Sequence, residues 1–198
     1  MRAGIVDYRM GNLASVAKAL EKIDVDAFVS DQSGDLEQAD LIVLPGVGNF
    51  TAGMENLKRL SLAGPLLEWA ESGKPVVGIC LGMQLLFEHS EEGNTDGLGI
   101  LEGKVSRITG EVKVPHMGWN EIASAEGELF EEFLGKHFYF VHSYVCDSPG
   151  GQSRAETEYG ERFTSGIQRD RIAGFQFHPE KSGENGLKLL AKSVEVVA

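Results

Sequence analysis

The sequence predicts an α/β protein: an open, mostly parallel central sheet flanked by helices, with an additional antiparallel β region. Three observations predict it. Strand-like and helix-like segments alternate as far as Ile79, separated by turn residues. The run Leu41-Ile42-Val43-Leu44 is continuously apolar, as expected of a parallel strand covered on both faces. From Leu98 to Ile122, short strand-like pieces carrying Val105, Ile108, Val112 and Val114 occur with no strong helix among them.

In chain order, Ala3–Tyr8 is a short apolar strand and Gly11-Asn12 opens a helix. Leu13, Val16, Ala17 and Leu20 then fall on one helical face. Val25, Ala27 and Val29 alternate as a second strand, and Leu41–Leu44 forms the third, ending in the loop Pro45-Gly46-Val47-Gly48. Pro65 stands near the start of the next helix and Gly73 stops it. Val76–Ile79 is the following strand, and the Leu85-Leu86-Phe87 pattern beyond Cys80 reads as a helix. Right-handed crossovers are expected between the parallel strands. Later, Phe138–Val141 is an aromatic β-rich run. Phe163–Gln168 and Arg171–Phe177 read as a β-hairpin around Arg169-Asp170. Ser182 is placed to cap a closing helix with Leu187, Leu190, Ala191 and Val194 on one face.

With 198 residues the chain is long enough for a full core, and one domain over residues 1–198 is expected. No internal repeat or linker-like segment interrupts it. The formal charge of −12, from 30 acidic and 18 basic side chains, argues against a nucleic-acid partner, which needs clustered Lys and Arg. No stretch approaches the ~20 apolar residues of a membrane span, and no secretory signal is read at the N-terminus. Two cysteines, Cys80 and Cys146, make neither a disulfide framework nor a metal-ligand set, so no metal or cofactor is expected. A reducing cytoplasm is the expected compartment.

The chemistry centres on Val76-Val77-Gly78-Ile79-Cys80-Leu81-Gly82-Met83-Gln84. This is a strand–turn–helix pattern with a cysteine at the turn and glycines two residues before and after it. A nucleophile on so tight a turn has strained backbone, and the glycines remove side chains that would collide with it. A helix starting there aims free N–H groups at the sulfur, favouring thiolate and later an oxyanion. The same residues also suit a buried structural cysteine in a βα turn. A nucleophilic cysteine needs a proton carrier, and among the five histidines His178 is best placed. Pro179 disfavours helix at His178, and in extended chain His178 and Glu180 project to the same side. His116 and His142 lack a carboxylate at useful spacing, and His89 and His137 read as surface or helix-end residues. Gln84 lies one helical turn beyond Cys80, where it is either a substrate contact or a half-exposed helical glutamine.

The elbow Gly78–Gln84, the loop Pro45–Gly48 and His178-Pro179-Glu180 together resemble the class I glutamine amidotransferases. Further segments resemble the glutaminase subunits of imidazole glycerol phosphate synthase. They are Asp7-Tyr8 with Gly11-Asn12-Leu13, Pro115-His116-Met117-Gly118-Trp119-Asn120, Tyr139–Tyr144, and His178–Ser182. The resemblance spans effectively the whole chain and implies the class I glutamine amidotransferase-like fold. It implies Cys80, His178 and Glu180 as catalytic triad, and backbone N–H groups of Leu81, Val47 and Gly48 as oxyanion hole. Gln84 and Glu92 would contact glutamine, with His142, Ser143 and Tyr144 lining the same pocket mainly through backbone. Asn12, Trp119 and Lys181 would meet a (β/α)8-barrel cyclase subunit in a heterodimer, although Trp119 suits a core position equally well. The Pro45–Gly48 loop is expected to rearrange for turnover. A glutaminase of another pathway, such as pyridoxal phosphate synthesis, or a stand-alone hydrolase is the competing enzyme reading, against which Pro115–Asn120 speaks. A non-catalytic regulatory subunit is the third, against which the complete triad speaks.

Overall fold

A computed structural model describes residues 1–198. The elements, in order, are β1 (Arg2–Val6), α1 (Leu13–Glu21), β2 (Asp26–Ser30), α2 (Ser33–Leu36), β3 (Leu41–Gly46), α3 (Phe50–Arg59), α4 (Ala63–Glu71), β4 (Val76–Cys80) and α5 (Leu81–Leu85). There follow β5 (Phe87–Ser90), β6 (Thr95–Asp96), β7 (Leu101–Arg107), β8 (His116–Glu121), β9 (Ser124–Glu126), β10 (His137–His142), β11 (Tyr144–Asp147), β12 (Ser153–Tyr159), β13 (Glu161–Arg169), β14 (Ile172–Phe175) and α6 (Gly183–Val197).

The large sheet runs β2-β1-β3-β4-β14-β13-β11-β7-β5-β6, with β12 and β9 branching from β13. Its first five strands pair in parallel, and β13 turns the direction by pairing antiparallel with β14. β8 and β10 form a separate antiparallel ribbon. The expected hairpin is therefore β13–β14, and the expected antiparallel region is the second half of the large sheet, parallel only where β5 meets β7, plus this ribbon.

Alternation along the parallel strands explains the unbroken apolar run. Leu41 and Val43 point into one apolar cluster, shared with Leu20 of α1 and Leu189 and Leu190 of α6. Ile42 and Leu44 point into the opposite cluster, shared with Met54 and Leu57 of α3 and Trp69 of α4. Each face of the strand thus has its own helical cover, so no position along it faces water. No helix is long and apolar enough to cross a membrane.

Three local differences from the sequence reading have physical causes. The helix after Cys80 stops at Leu85, and Phe87 opens a strand because β5 finds a parallel partner in β7. Helix α3 was not read from the pattern, yet Asn49 caps it by accepting the Ala52 N–H at 3.0 Å. Ser182 precedes α6 without capping it. Its hydroxyl instead donates to His178 O and accepts the Tyr139 N–H, stitching the end of the His178 segment to β10.

Candidate active site

Cys80 ends β4 with φ 54° and ψ −111°, a left-handed backbone that a non-glycine residue adopts at a cost of about 1–3 kcal/mol. Its glycine neighbours are sterically required. A Cβ on Gly82 would fall 1.7 Å from the Leu44 carbonyl oxygen, and one on Gly78 would fall 2.8 Å from Met83 Cα. The strained turn is therefore over-determined by the packing of β4 and α5 against β3.

His178 follows β14, which pairs in parallel with β4, so chain pairing brings it to the same sheet edge as Cys80. Its backbone N–H donates to Tyr139 O on β10 at 2.9 Å. Its Nδ1 bonds Glu180 Oε1 at 2.7 Å, with both side chains buried. The contact is made across the short turn Pro179–Lys181 rather than along an extended strand. Burial pulls the His178 proton affinity down, but hydrogen bonds and charge from Cys80 and Glu180 outweigh it and raise its pKa to about 9. At neutral pH the ring is therefore an imidazolium, with Nδ1 held on the Glu180 carboxylate and Nε2 buried without a hydrogen-bond partner inside the chain.

A cavity of about 210 Å³ opens on the elbow, lined by Gly48, Cys80, Leu81, Gln84, Glu92, Pro115, Val141, His142, Ser143 and Tyr144. It gathers all five residues expected to hold the substrate, and Gly48 and Leu81 of the expected oxyanion hole. Val47 is exposed at the loop tip and does not line it. Parallel pairing of Gly46 with Cys80 sets that loop beside the elbow. A larger groove, of about 610 Å³, lies at the opposite end of β4 and β14, near Lys74 and Arg171, and offers neither cysteine nor histidine.

The polar lining is already engaged within the protein. Glu92 Oε2 accepts the Phe50 N–H at the start of α3 at 2.6 Å. Gln84 Nε2 donates to Tyr144 O at 3.0 Å and to Gln176 Oε1 at 2.9 Å. His142 Nδ1 donates to Tyr144 O at 2.9 Å, and its Nε2 lies 3.0 Å from His116 Nδ1. Burial lowers the pKa of His116 to about 4 and that of His142 to about 3, so both rings are neutral. His116 is stacked between Phe140 and Tyr159. His142 was expected in the pocket, but its pairing with His116 was not legible in the sequence, and Gln176 was not singled out. Gln176 lies two residues before His178, the same spacing that singled out Glu180, and that was the available signal.

Asn12, Trp119 and Lys181 lie outside the cavity on the exposed surface. Asn12 caps α1 by accepting the Ser15 N–H, and α1 packs on the Pro179–Lys181 turn. Trp119 is 58% exposed and rests edge-on against Tyr139, with Met117 beside it 62% exposed, so the core alternative for Trp119 is excluded.

Known proteins share both fold and sequence with this arrangement. The chain matches the family described as glutamine amidotransferase class-I over residues 5–196. It is 45% identical to the imidazole glycerol phosphate synthase subunit HisH of Oceanobacillus iheyensis, over 98% of each chain. It is 48% identical to the subunit of the same name from Aquifex aeolicus, over 96% of this chain and 94% of that one. Among solved structures, a crystal structure of a glutamine amidotransferase superimposes with a TM-score of 0.73 at 18% identity, covering 97% of this chain and 98% of that one. PurLQS from Thermotoga maritima superimposes at 0.71 with 22% identity, covering 100% and 99%. The chain belongs to the class-I glutamine amidotransferase family, in the branch of the HisH subunits.

Proposed function

We propose that this chain is the glutaminase subunit of an imidazole glycerol phosphate synthase. It hydrolyses glutamine to glutamate and ammonia and passes the ammonia to a (β/α)8-barrel cyclase subunit, with which it forms a heterodimer. The cyclase makes imidazole glycerol phosphate and aminoimidazole carboxamide ribotide in histidine biosynthesis. Residues 1–198 act as one amidotransferase domain, working in the cytoplasm.

In this reading Cys80 attacks the glutamine side-chain carbonyl as thiolate, its proton carried on His178 Nε2. The S–C bond forms, the C–N bond breaks, and His178 returns the proton to the leaving ammonia. Neutral His178 then takes a proton from water, whose oxygen displaces the sulfur to give glutamate. Glu180 keeps the ring oriented and offsets its charge. The oxyanion of each tetrahedral intermediate is met by the N–H of Leu81 and an N–H from Val47-Gly48. One such donor is typically worth about 10²–10³ in rate, so the conformation of this loop gates turnover. Gln84, Glu92 and the His142–Tyr144 backbone hold glutamine, and Asn12, Trp119 and Lys181 face the cyclase.

The observation that supports this most directly is the buried His178–Glu180 pair brought to the sheet edge of a strained cysteine. The test is Cys80→Ala in the assembled synthase. Glutamine-dependent product formation falls by about 10³ or more, while synthesis from supplied ammonium salt continues. Persistent glutamine-dependent turnover would overturn the assignment.

A further inference from the structure

We propose that Gln176 is a further catalytic residue, whose side-chain amide donates a hydrogen bond to the Cys80 sulfur and stabilises it as attacking and leaving thiolate. The proposal rests on the reading of Cys80 as nucleophile.

Gln176 is completely buried between Phe175 and Phe177, an environment in which an amide must find internal partners. Its Nε2 lies 3.8 Å from Cys80 Sγ, within reach for a sulfur acceptor. The orientation of the amide follows from its neighbours. Tyr144 O can only accept, so Gln84 must present its NH₂ there, at 3.0 Å. The second N–H of Gln84 then points at Gln176 and requires an acceptor, which assigns that position to Oε1, at 2.9 Å. The NH₂ of Gln176 is left facing the sulfur.

The anchor of this chain lies outside the cavity. Asn120 Nδ2 is 3.3 Å from His116 Nε2, His116 Nδ1 is 3.0 Å from His142 Nε2, and His142 Nδ1 is 2.9 Å from Tyr144 O. With both rings neutral, a single set of tautomers satisfies all three contacts, each donor pointing toward Tyr144 O. The same carbonyl therefore receives one chain from β8 and one from Gln84, and the second continues to the sulfur.

The charges around the sulfur make a neutral donor useful. Burial keeps Tyr8 and Cys146 protonated and His142 neutral, which leaves His178, paired with Glu180, as the cation among these groups. When water displaces the thioester, the C–S electron pair returns to sulfur while His178 is occupied with the proton from water. At that moment the Gln176 N–H is the donor already in place, and it asks for no reorganisation.

The test uses the full chain assembled with its cyclase, and iodoacetamide as a small electrophile. In Gln176→Met, alkylation of Cys80 at pH 7 slows about tenfold, the range for a hydrogen bond to a charged acceptor. The profiles of variant and wild type converge at alkaline pH, where the thiol is ionised in both, and kcat for glutamine falls in parallel with KM unchanged. A purely structural role would instead alter unfolding or KM and leave the shape of the alkylation profile alone. Gln176→Leu provides a second arm, of different shape, that again removes the donor, and it slows alkylation about as much. Superimposable profiles for wild type and either folded variant would overturn the proposal. Glutamine turnover by Cys80→Ala would instead remove the nucleophile reading beneath it, so the two failures are distinguishable.

Discussion

Nδ1 of His178 lies 2.7 Å from Oε1 of Glu180, with the two side chains only 2% and 3% exposed. A carboxylate is retained at that depth because the imidazolium beside it supplies both a proton donor and a counter-charge. Glu180→Gln keeps the shape and removes the charge, so the ring loses its electrostatic support and its preferred tautomer. In steady-state glutaminase assays of the assembled enzyme, kcat falls about 10²–10⁴-fold and KM changes little. A kcat within threefold of wild type would contradict the orienting role.

The neutral His116–His142 pair makes the protein acid-labile. Both rings have pKa values below the usual 6.5, at about 4 and about 3, because burial disfavours the charged form. The unfolded chain therefore binds more protons than the folded one below pH 6.5. This stabilisation is whole above pH 6.5 and is lost as pH falls toward 4. Chemical denaturation of wild type and His116→Phe across that window checks it. The wild type loses stability more steeply, by on the order of 2 kcal/mol over the window. Parallel curves would show that His116 does not titrate on unfolding.

Two glycine substitutions have opposite expected signs. Gly82→Ala places a methyl 1.7 Å from Leu44 O, a backbone atom that cannot move without parting β3 from α5. It is expected to lower unfolding free energy by about 3 kcal/mol or more. Gly64→Ala, near the start of α4, meets nothing within 4 Å and raises stability by about 0.5–1 kcal/mol through helix propensity. Urea midpoints of the two variants decide both.

Trp119 and Met117 offer exposed apolar surface on β8, which Tyr139 covers only edge-on. Trp119→Ala leaves the stability of the isolated chain within about 0.5 kcal/mol. Binding to the cyclase weakens by about 2 kcal/mol, roughly thirtyfold in Kd. Calorimetric titration against the barrel, paired with thermal unfolding of the free chain, separates the two quantities. Unchanged affinity would place the docking surface elsewhere.

The amino-acid sequence by itself determined the alternation of strand and helix, the glycine-flanked cysteine turn and the His178–Glu180 spacing. These depend on periodicity, steric demand and short-range geometry, all of which are written within a few residues. Even there, the helix beyond Cys80 was read too long, because pairing of β5 with β7 overrides the local apolar pattern. Ser182 was read as a cap, yet its hydroxyl serves His178 O and the Tyr139 N–H, a partner 43 residues away. Only the tertiary structure decided that His116 meets His142, through the antiparallel register of β8 and β10. It likewise decided that Gln84 reaches Gln176, and Gln176 the sulfur, across separations of 92 and 96 residues. Such contacts follow from strand order and register, and both of these are properties of the whole sheet rather than of any segment in it.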